Sequence, residues 1–546
     1  MRYYEIFRIL GRFFLYFSFL ILFPLCIAVY FEFIELPEAH PQPHSSKAFL
    51  LTFFFCIALA IFFRFLGQSG TGLLFRRDSI FLVMAIWILS SFVAALPFYF
   101  SGTFKSPLDA YFESMSALTT TGASLMAPKT FDADGKEIPT TVSAQSDSLS
   151  LYDYYGTIDP VKDTRTGEVL EGIEAVGRAI LVWRSFLQWL GGMGIVVLFL
   201  TVLPALGVGG KTLYQTEMTG PVKEGISPRL KETASLLWKL YICLSVLEVS
   251  LLLFTNSALP FLDAVCITFS NLSTGGFTLH EESIGYYNNA YTEWIVILFM
   301  ILGSINFGLY FHVIRMKFRK ISKSDFFLFL ALILIGSLLT SFAILGTPKE
   351  ELGNQAGIYS PSDAFRSGIF QWVSAQSSTG YFTANYDLWP LNAQIGLLLA
   401  MFFGGMAGST SGGIKTTRYC LFWKIARNRL EGLFRPETIR IIRFGKIEID
   451  HTTAIMVLLF FCVAFFSSVI GASLFIITGI DLETSVSLIS SLINNVGIGF
   501  RGSGPTQQIN FLSPIAKGLS IFWMLIGRLE YFAILVLFFP TFWKAK

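Results

Sequence analysis

Charge is what this sequence has least of. Asp, Glu, Lys and Arg make up 14% of its 546 residues, while 53% are hydrophobic and 57 are Phe; mean hydropathy is +0.61. A soluble chain carries charge on about a quarter of its residues. The shortfall excludes the soluble globular class and points to a polytopic membrane protein. Cysteine is scarce as well: Cys26, Cys56, Cys243, Cys266, Cys420 and Cys462 lie in apolar or membrane-flanking segments with no CxxC pair. Neither a disulfide framework nor a thiolate metal site is expected. The five histidines (His40, His44, His280, His312, His451) lack ligand spacing, so no transition metal is expected. No nucleophile–base constellation is present either, which argues against an enzyme.

What the chain does have is long apolar runs. Arg2, Arg8 and Arg12 precede an uncharged run from Phe13 to Phe31 that ends at Glu32 and Glu35. It is longer than a signal-peptide core and lacks a small-residue end, so it reads as a retained span. A Pro- and His-bearing turn (Pro37 to His44) leads to a second run, Ala48 to Phe63, closed by Arg64, Arg76 and Arg77. These two form an N-terminal hairpin, residues 1–70. Beyond it come spans at about 79–104, 178–206, 234–257, 294–314, 326–347, 388–414, 452–480 and 514–542. The expectation is therefore ten spanning helices.

Between the later spans one pattern is written four times. It reads Ser116-Ala117-Leu118-Thr119-Thr120-Thr121-Gly122, Ser270-Asn271-Leu272-Ser273-Thr274-Gly275-Gly276, Ala375-Gln376-Ser377-Ser378-Thr379-Gly380 and Leu492-Ile493-Asn494-Asn495-Val496-Gly497. Each copy follows an apolar stretch too short to span, with Asp109, Asp263, Asp363, or Asp481 and Glu483 near its start. The successive intervals Gly122–Gly275, Gly275–Gly380 and Gly380–Gly497 are 153, 105 and 117 residues. The first contains a polar block, 127–176, with ten acids against four bases. Units this long are too large for a solenoid and suit four quarters around one axis. The predicted fold is all-α and polytopic, with four tandem helix–pore-helix–helix repeats around one pseudo-fourfold pore. The repeats cover 71–210 (with the acidic insertion 127–176), 211–318, 319–430 and 431–546.

Lys and Arg cluster at the N-terminus, at Arg76-Arg77, in 211–231, 315–323 and 415–446, and at Lys544 and Lys546. With ten spans this puts both termini and all those loops in the cytoplasm. All four Thr-Gly turns then fall toward the outside, with the acidic block. A cation leaving water must exchange hydration oxygens for protein oxygens, and rings of backbone carbonyls supply them without a buried charge. Irregular backbone at membrane depth is tolerated where it lines a water-filled path. Acids are scarce in the spans and missing from the turns, so a carboxylate ring is not expected. The candidate filter residues are Thr120, Thr121, Gly122; Ser273, Thr274, Gly275; Ser378, Thr379, Gly380; and Asn495, Val496, Gly497.

The uncharged run Leu388–Ile414 is 27 residues long, too long for one helix across a core of ~30 Å at ~1.5 Å per residue. Its interior holds Gly404, Gly405, Gly408, Ser409, Thr410, Ser411, Gly412 and Gly413, followed by Lys415. A phosphate-binding loop needs Gly-Lys adjacent, and Ile414 separates them here. The segment reads as a helix broken at mid-membrane, its loop 404–413 hanging under the filter as a gate. Arg528 lies deep in the last span, where an ionisable group faces water or a partner; it is the candidate to meet that loop. Glu113, Arg184 and Glu248 read as structural partners.

These turns, with Trp189-Leu190-Gly191-Gly192-Met193-Gly194, Gly404 to Lys415 and Gly527-Arg528-Leu529-Glu530, resemble the TrkH/KtrB family of potassium-uptake proteins across nearly the whole chain. The leading hairpin is similar to the TrkH branch. The resemblance implies K+ as substrate ion and a homodimer in the bacterial cytoplasmic (inner) membrane. It also implies a cytoplasmic TrkA-type regulatory subunit that carries the nucleotide, with no nucleic acid partner. The basic loops 315–323 and 415–446 are expected to help dock that subunit. A longer acidic block and a fourth turn reading Val-Gly-Ile-Gly depart from the family pattern. The competing class, a secondary transporter with broken helices, predicts an inverted pair of repeats, whereas these four run in the same sense.

Overall fold

The computed structural model describes residues 3–35, 44–69, 76–143, 151–163, 167–194, 230–314, 323–349, 357–434, 442–444, 447–449 and 451–544. The basic segments 211–229, 315–322 and 435–441 and the end of the expected span 178–206 lie outside them. Among the described residues, six helices are long and apolar enough to cross a bilayer: Tyr3–Ile34, Ser45–Leu66, Arg77–Phe100, Ser235–Thr255, Asp325–Ile344 and Thr453–Ile477. The pair Pro514–Leu529 and Phe532–Phe538, bent by 113°, is long and apolar enough together to make a seventh, as one broken span or a re-entrant turn. The other three expected spans fall on the shorter helices Arg178–Gly192, Ala290–Ser304 and Leu391–Phe402.

Two expectations are corrected. The span 294–314 is broken at Ile305 and Asn306, and restarts as Phe307–Ile314. The last span is not continuous to Phe542: it stops at Leu529, and Glu530 and Tyr531 both take positive φ, 55° and 59°. The polar block is also more ordered than a loop. It carries three small antiparallel hairpins, pairing Thr130–Phe131 with Glu137–Ile138, Thr140–Ser143 with Leu151–Tyr154, and Val161–Lys162 with Val169–Leu170.

The N-terminal hairpin is held by aromatic packing and one carboxylate. Phe13, Phe14 and Phe17 are buried; Phe17 and Phe49 meet the Trp183 ring edge-on at 6.3 and 5.9 Å. In a bilayer such contacts act through packing, since lipid tails remove the usual hydrophobic gain. Glu32 at the end of the first helix accepts from the Ser45 hydroxyl (2.7 Å) and the Ser46 amide (2.9 Å), so it caps the start of the second.

Four short helices stand between the spans: Pro107–Leu118, Phe261–Leu272, Pro361–Gln376 and Leu482–Ile493. Their starts are written locally. Proline opens the first and third, where its missing N–H has no cost. The side chains of Ser360 and Asp481 accept from the amides of Asp363 and Thr484 (3.2 and 2.9 Å), satisfying a donor that the first turn leaves free.

Candidate ion pathway

Each short helix ends in the same way. After a terminal residue (Thr119, Ser273, Ser377, Asn494) the next enters the left-handed region: Thr120 φ 52°, Thr274 54°, Ser378 60°, Asn495 54°. The amide of that residue bonds a carbonyl three back, and the following amide bonds one five back: Thr121 to Ser116 (2.9 Å), Gly275 to Ser270 (2.7 Å), Thr379 to Ser374 (3.0 Å) and Val496 to Ser491 (2.8 Å). This is the Schellman helix ending. It fixes the equivalence of the four copies residue by residue.

That equivalence corrects one assignment. Two residues past each left-handed residue stand Gly122, Gly276, Gly380 and Gly497, with φ of 84°, 80°, 78° and 92°. The glycine of the second copy that matches Gly122 is therefore Gly276, and Gly275 matches Thr121, Thr379 and Val496. Adjacent glycines hid the register in the sequence.

Here glycine is obligatory for space as well as conformation. A Cβ on Gly122 would lie 2.2 Å from the Gly275 carbonyl oxygen, and one on Gly276 1.9 Å from that of Thr379. A Cβ on Gly380 would lie 1.9 Å from the oxygen of Val496, and one on Gly497 2.2 Å from that of Thr121. The contacts run from copy one to two, two to three, three to four, and four back to one. Four carbonyls thus close a ring with four glycines threaded between them.

Side chains hold this ring from behind. Glu113 is fully buried and accepts from Arg184 Nε (2.7 Å), the Ser124 hydroxyl (3.0 Å) and the Leu125 amide (3.0 Å). Arg184 also donates to the Thr278 carbonyl (2.9 Å) and lies 3.4 Å from the Phe277 ring centroid. The pair buckles the strands leaving the first and second turns. Glu248 accepts from the Asn271 amide group (2.6 Å) on the second short helix.

Directly beneath lies the glycine-rich segment. The helix Leu391–Phe402 ends, Phe403 pairs with Ile414, and a new helix begins at Thr416. The intervening loop is anchored by the amides of Met406 and Thr410, which donate to the carbonyls of Ser304 (2.9 Å) and Gly303 (3.2 Å) at the broken second-repeat span. The Thr410 hydroxyl donates to the Leu272 carbonyl (3.0 Å), and the Gly412 amide to the Ser378 hydroxyl (2.6 Å). A Cβ on Gly412 would fall 2.5 Å from the Asn494 carbonyl oxygen. Arg528 donates to the Thr120 hydroxyl (3.0 Å), the Thr410 carbonyl (2.9 Å) and the Gly192 carbonyl (3.3 Å), and also to the Gly191 carbonyl. Loop and arginine together reach all four turns. Lys415 is buried and donates to the Ser411 carbonyl, and Arg418 of the new helix pairs with Glu530.

A model of the TrkH family, described as a cation transport protein, matches residues 161–545. The chain belongs to the TrkH family. It is 32% identical to the Trk system potassium uptake protein TrkH of Salmonella typhimurium, covering 92% of this chain and 93% of that one. It is 30% identical to the Vibrio parahaemolyticus protein of the same name, over 100% of both. The crystal structure of the potassium transporter TrkH from Vibrio parahaemolyticus matches with a TM-score of 0.76 at 28% identity, covering 100% of each chain. Membership of this family makes the chain a membrane transport protein and not an enzyme.

Around the TrkH-type core, several residues went unread in the sequence. Gly276 was hidden by its neighbour. Gly303 and Ser304 anchor the loop through carbonyls, which leave no side-chain signature. Gln188 lies against the second turn, donating to the Gly275 carbonyl (2.6 Å) and accepting from the Phe277 amide (3.1 Å). The hairpin block grips two short helices. The Tyr152 hydroxyl accepts from the Asp481 amide (2.8 Å) and donates to the Asp481 carboxylate, and its ring stacks on Phe511 at 4.4 Å. His280 bridges Glu174 of the block (2.7 Å) and Asp263 of the second short helix (3.2 Å). Burial alone would lower the His280 ring's affinity for a proton; bonds to Asp263 and Glu174 outweigh it and raise its pKa to about 9. Neighbouring Glu281 is pushed up to about 7 by burial and by the charge of Glu174.

Proposed function

We propose that this chain is the pore subunit of a Trk-type potassium-uptake system, with the ring of Thr121, Gly275, Thr379 and Val496 carbonyls as its selectivity filter. The observation that carries the reading is the closed cycle of glycine–carbonyl contacts, which supplies equivalent oxygens from four turns of one chain. Such a ring replaces the hydration shell of a monovalent cation without burying a formal charge. The relatives' names favour potassium among those cations. Loop 404–413 and Arg528 act as the gate: they lie against the turns, and the guanidinium charge raises the barrier for any cation beneath the ring. The helix Thr416–Phe434 is the lever, since Lys415 and Arg418 tie it to the loop and to Glu530.

In this reading the protein sits in the bacterial cytoplasmic membrane as a homodimer with both termini inside. A TrkA-type subunit that binds nucleotide pulls the lever from the cytoplasm. The test is ion flux from the purified protein in lipid vesicles, comparing potassium, rubidium, sodium and lithium with and without an applied potential. Potential-driven flux favouring potassium and rubidium is the expected result. Equal flux of all four ions would remove the filter assignment.

A further inference from the structure

We propose that Gln188 is a specificity-determining residue: it weakens the field of one ring carbonyl and so biases the filter toward larger cations. The inference rests on the reading of the carbonyl ring as the filter. It starts from an asymmetry among the four turns. The position matching Thr121 is Thr379 in the third copy and Val496 in the fourth, but glycine in the second. Thr121 and Thr379 spend their hydroxyls on the helix-ending residues Thr119 (2.8 Å) and Ser377 (2.7 Å). Gly275 has no side chain because Gln188, from the first-repeat helix, fills that space. A Cβ there would lie 2.5 Å from Gln188 Cδ.

The orientation of the amide is fixed by its partners. The Phe277 amide can only donate, so it faces Gln188 Oε1 at 3.1 Å, which turns Nε2 to the Gly275 carbonyl at 2.6 Å. Gln188 is fully buried, and in a low-dielectric surround such a bond is electrostatically strong. Among the described residues, Gly275 is the ring position whose carbonyl accepts a side-chain hydrogen bond. A donor proton beside that oxygen opposes the potential it offers a cation. A weaker oxygen field disfavours small, tightly hydrated ions more than large ones, because it repays less of their dehydration. The same bonds brace the strand across Gly276, so the residue positions as well as tunes.

The test is the permeability series Li+, Na+, K+, Rb+, Cs+ in vesicles for the Gln188→Leu variant, which keeps the bulk and removes the donor. Assembly is checked by size-exclusion chromatography. The expected result is a tilt of the series: Na+ and Li+ rise relative to K+ by about fivefold, the worth of one net hydrogen bond, while Rb+ and Cs+ fall. A loosened filter would instead admit small and large ions together, and that outcome overturns the proposal. Should Gln188→Leu fail to assemble, the pair Gln188→Ala with Gly275→Ala carries the test. It removes the donor and fills the space with the methyl group that Gln188 otherwise excludes, and it should show the same tilt. An unchanged series in these variants, beside an altered one in Gly122→Ser, overturns the role of Gln188 and leaves the filter standing. An unchanged series in all of them removes the filter and this inference with it.

Discussion

At Thr120, Thr274, Ser378 and Asn495 the chain holds a side chain in the left-handed region, where a Cβ costs roughly 1–2 kcal/mol. Glycine is the usual residue at such a helix end. The side chains explain the exception. The Thr120 hydroxyl receives Arg528, the Ser378 hydroxyl receives the Gly412 amide, and the Asn495 amide group donates to the Thr121 hydroxyl (2.9 Å) and the Met524 carbonyl (3.0 Å). Three of the four strained positions are thus where the turns meet other segments, while the Thr274 hydroxyl bonds its own neighbour, the Ser273 carbonyl (2.7 Å). Two residues on, conformation and space both require glycine. Gly122→Ser puts an atom 2.2 Å from the Gly275 oxygen at φ 84°, so it should displace one of four ring carbonyls. The potassium-to-sodium flux ratio should fall on the order of tenfold, about 1.4 kcal/mol of lost discrimination. A ratio equal to the parent's would mean that the first turn is not part of the filter.

The proposed gate is built from elements, and its breaks differ in how far local sequence accounts for them. The break in 388–414 was legible because its cause is local: glycines and hydroxyls that a helix tolerates poorly. The four turns were legible for the same reason. The breaks at Ile305-Asn306 and Glu530-Tyr531 were not: Gly303-Ser304 and Gly527 stand just before them, but both breaks also depend on contacts with other segments. The carbonyls of Gly303 and Ser304 are turned to the loop amides, and Glu530 is drawn to Arg418. Arg528, by contrast, could be read as the loop's partner because a charge at that depth must find one. If the loop and Arg528 hold the path shut, deleting Gly408 to Gly412 and replacing Arg528 with Ala should each raise potassium flux without a regulator. A gain of about tenfold corresponds to ~1.4 kcal/mol off the barrier, and selectivity should stay largely intact because the ring is untouched. Two normally assembled variants with parental flux would reduce the segment to packing.

At the scale of the whole molecule, the cap of hairpins and the helical pore differ in kind, yet Ile158, Ile173, Ala175 and Val176 of the cap pack into the main core. The cap is small hairpins of polar sequence; the pore is apolar helix. Tyr152 ties the cap to the fourth short helix, and His280 ties it to the second, flanked by Glu174, Asp263 and the Tyr286 ring stacked at 3.5 Å. Tyr287 donates to the same Asp263 carboxylate (2.9 Å). Two titrations bear on this second joint, and both have the same sign. His280 is raised to about 9 from an ordinary value of 6.5, so the stability it contributes is complete below about 6.5 and is lost as pH rises through about 9. Glu281, raised to about 7 and set against Gly172, adds a second negative charge beside Glu174 once it ionises. Protection of the 172–176 amides in hydrogen exchange, corrected for intrinsic rate, should therefore fall in two steps between about pH 4.5 and 9, the lower from Glu281 and the upper from His280. His280→Gln should abolish the upper step and Glu281→Gln the lower, while amides of the pore helices keep their protection. If cap protection stayed flat across that range in the parent protein, the bond between cap and second short helix would not depend on the imidazolium, and Tyr152 with the core packing of Ile158, Ile173 and Val176 would be holding the cap.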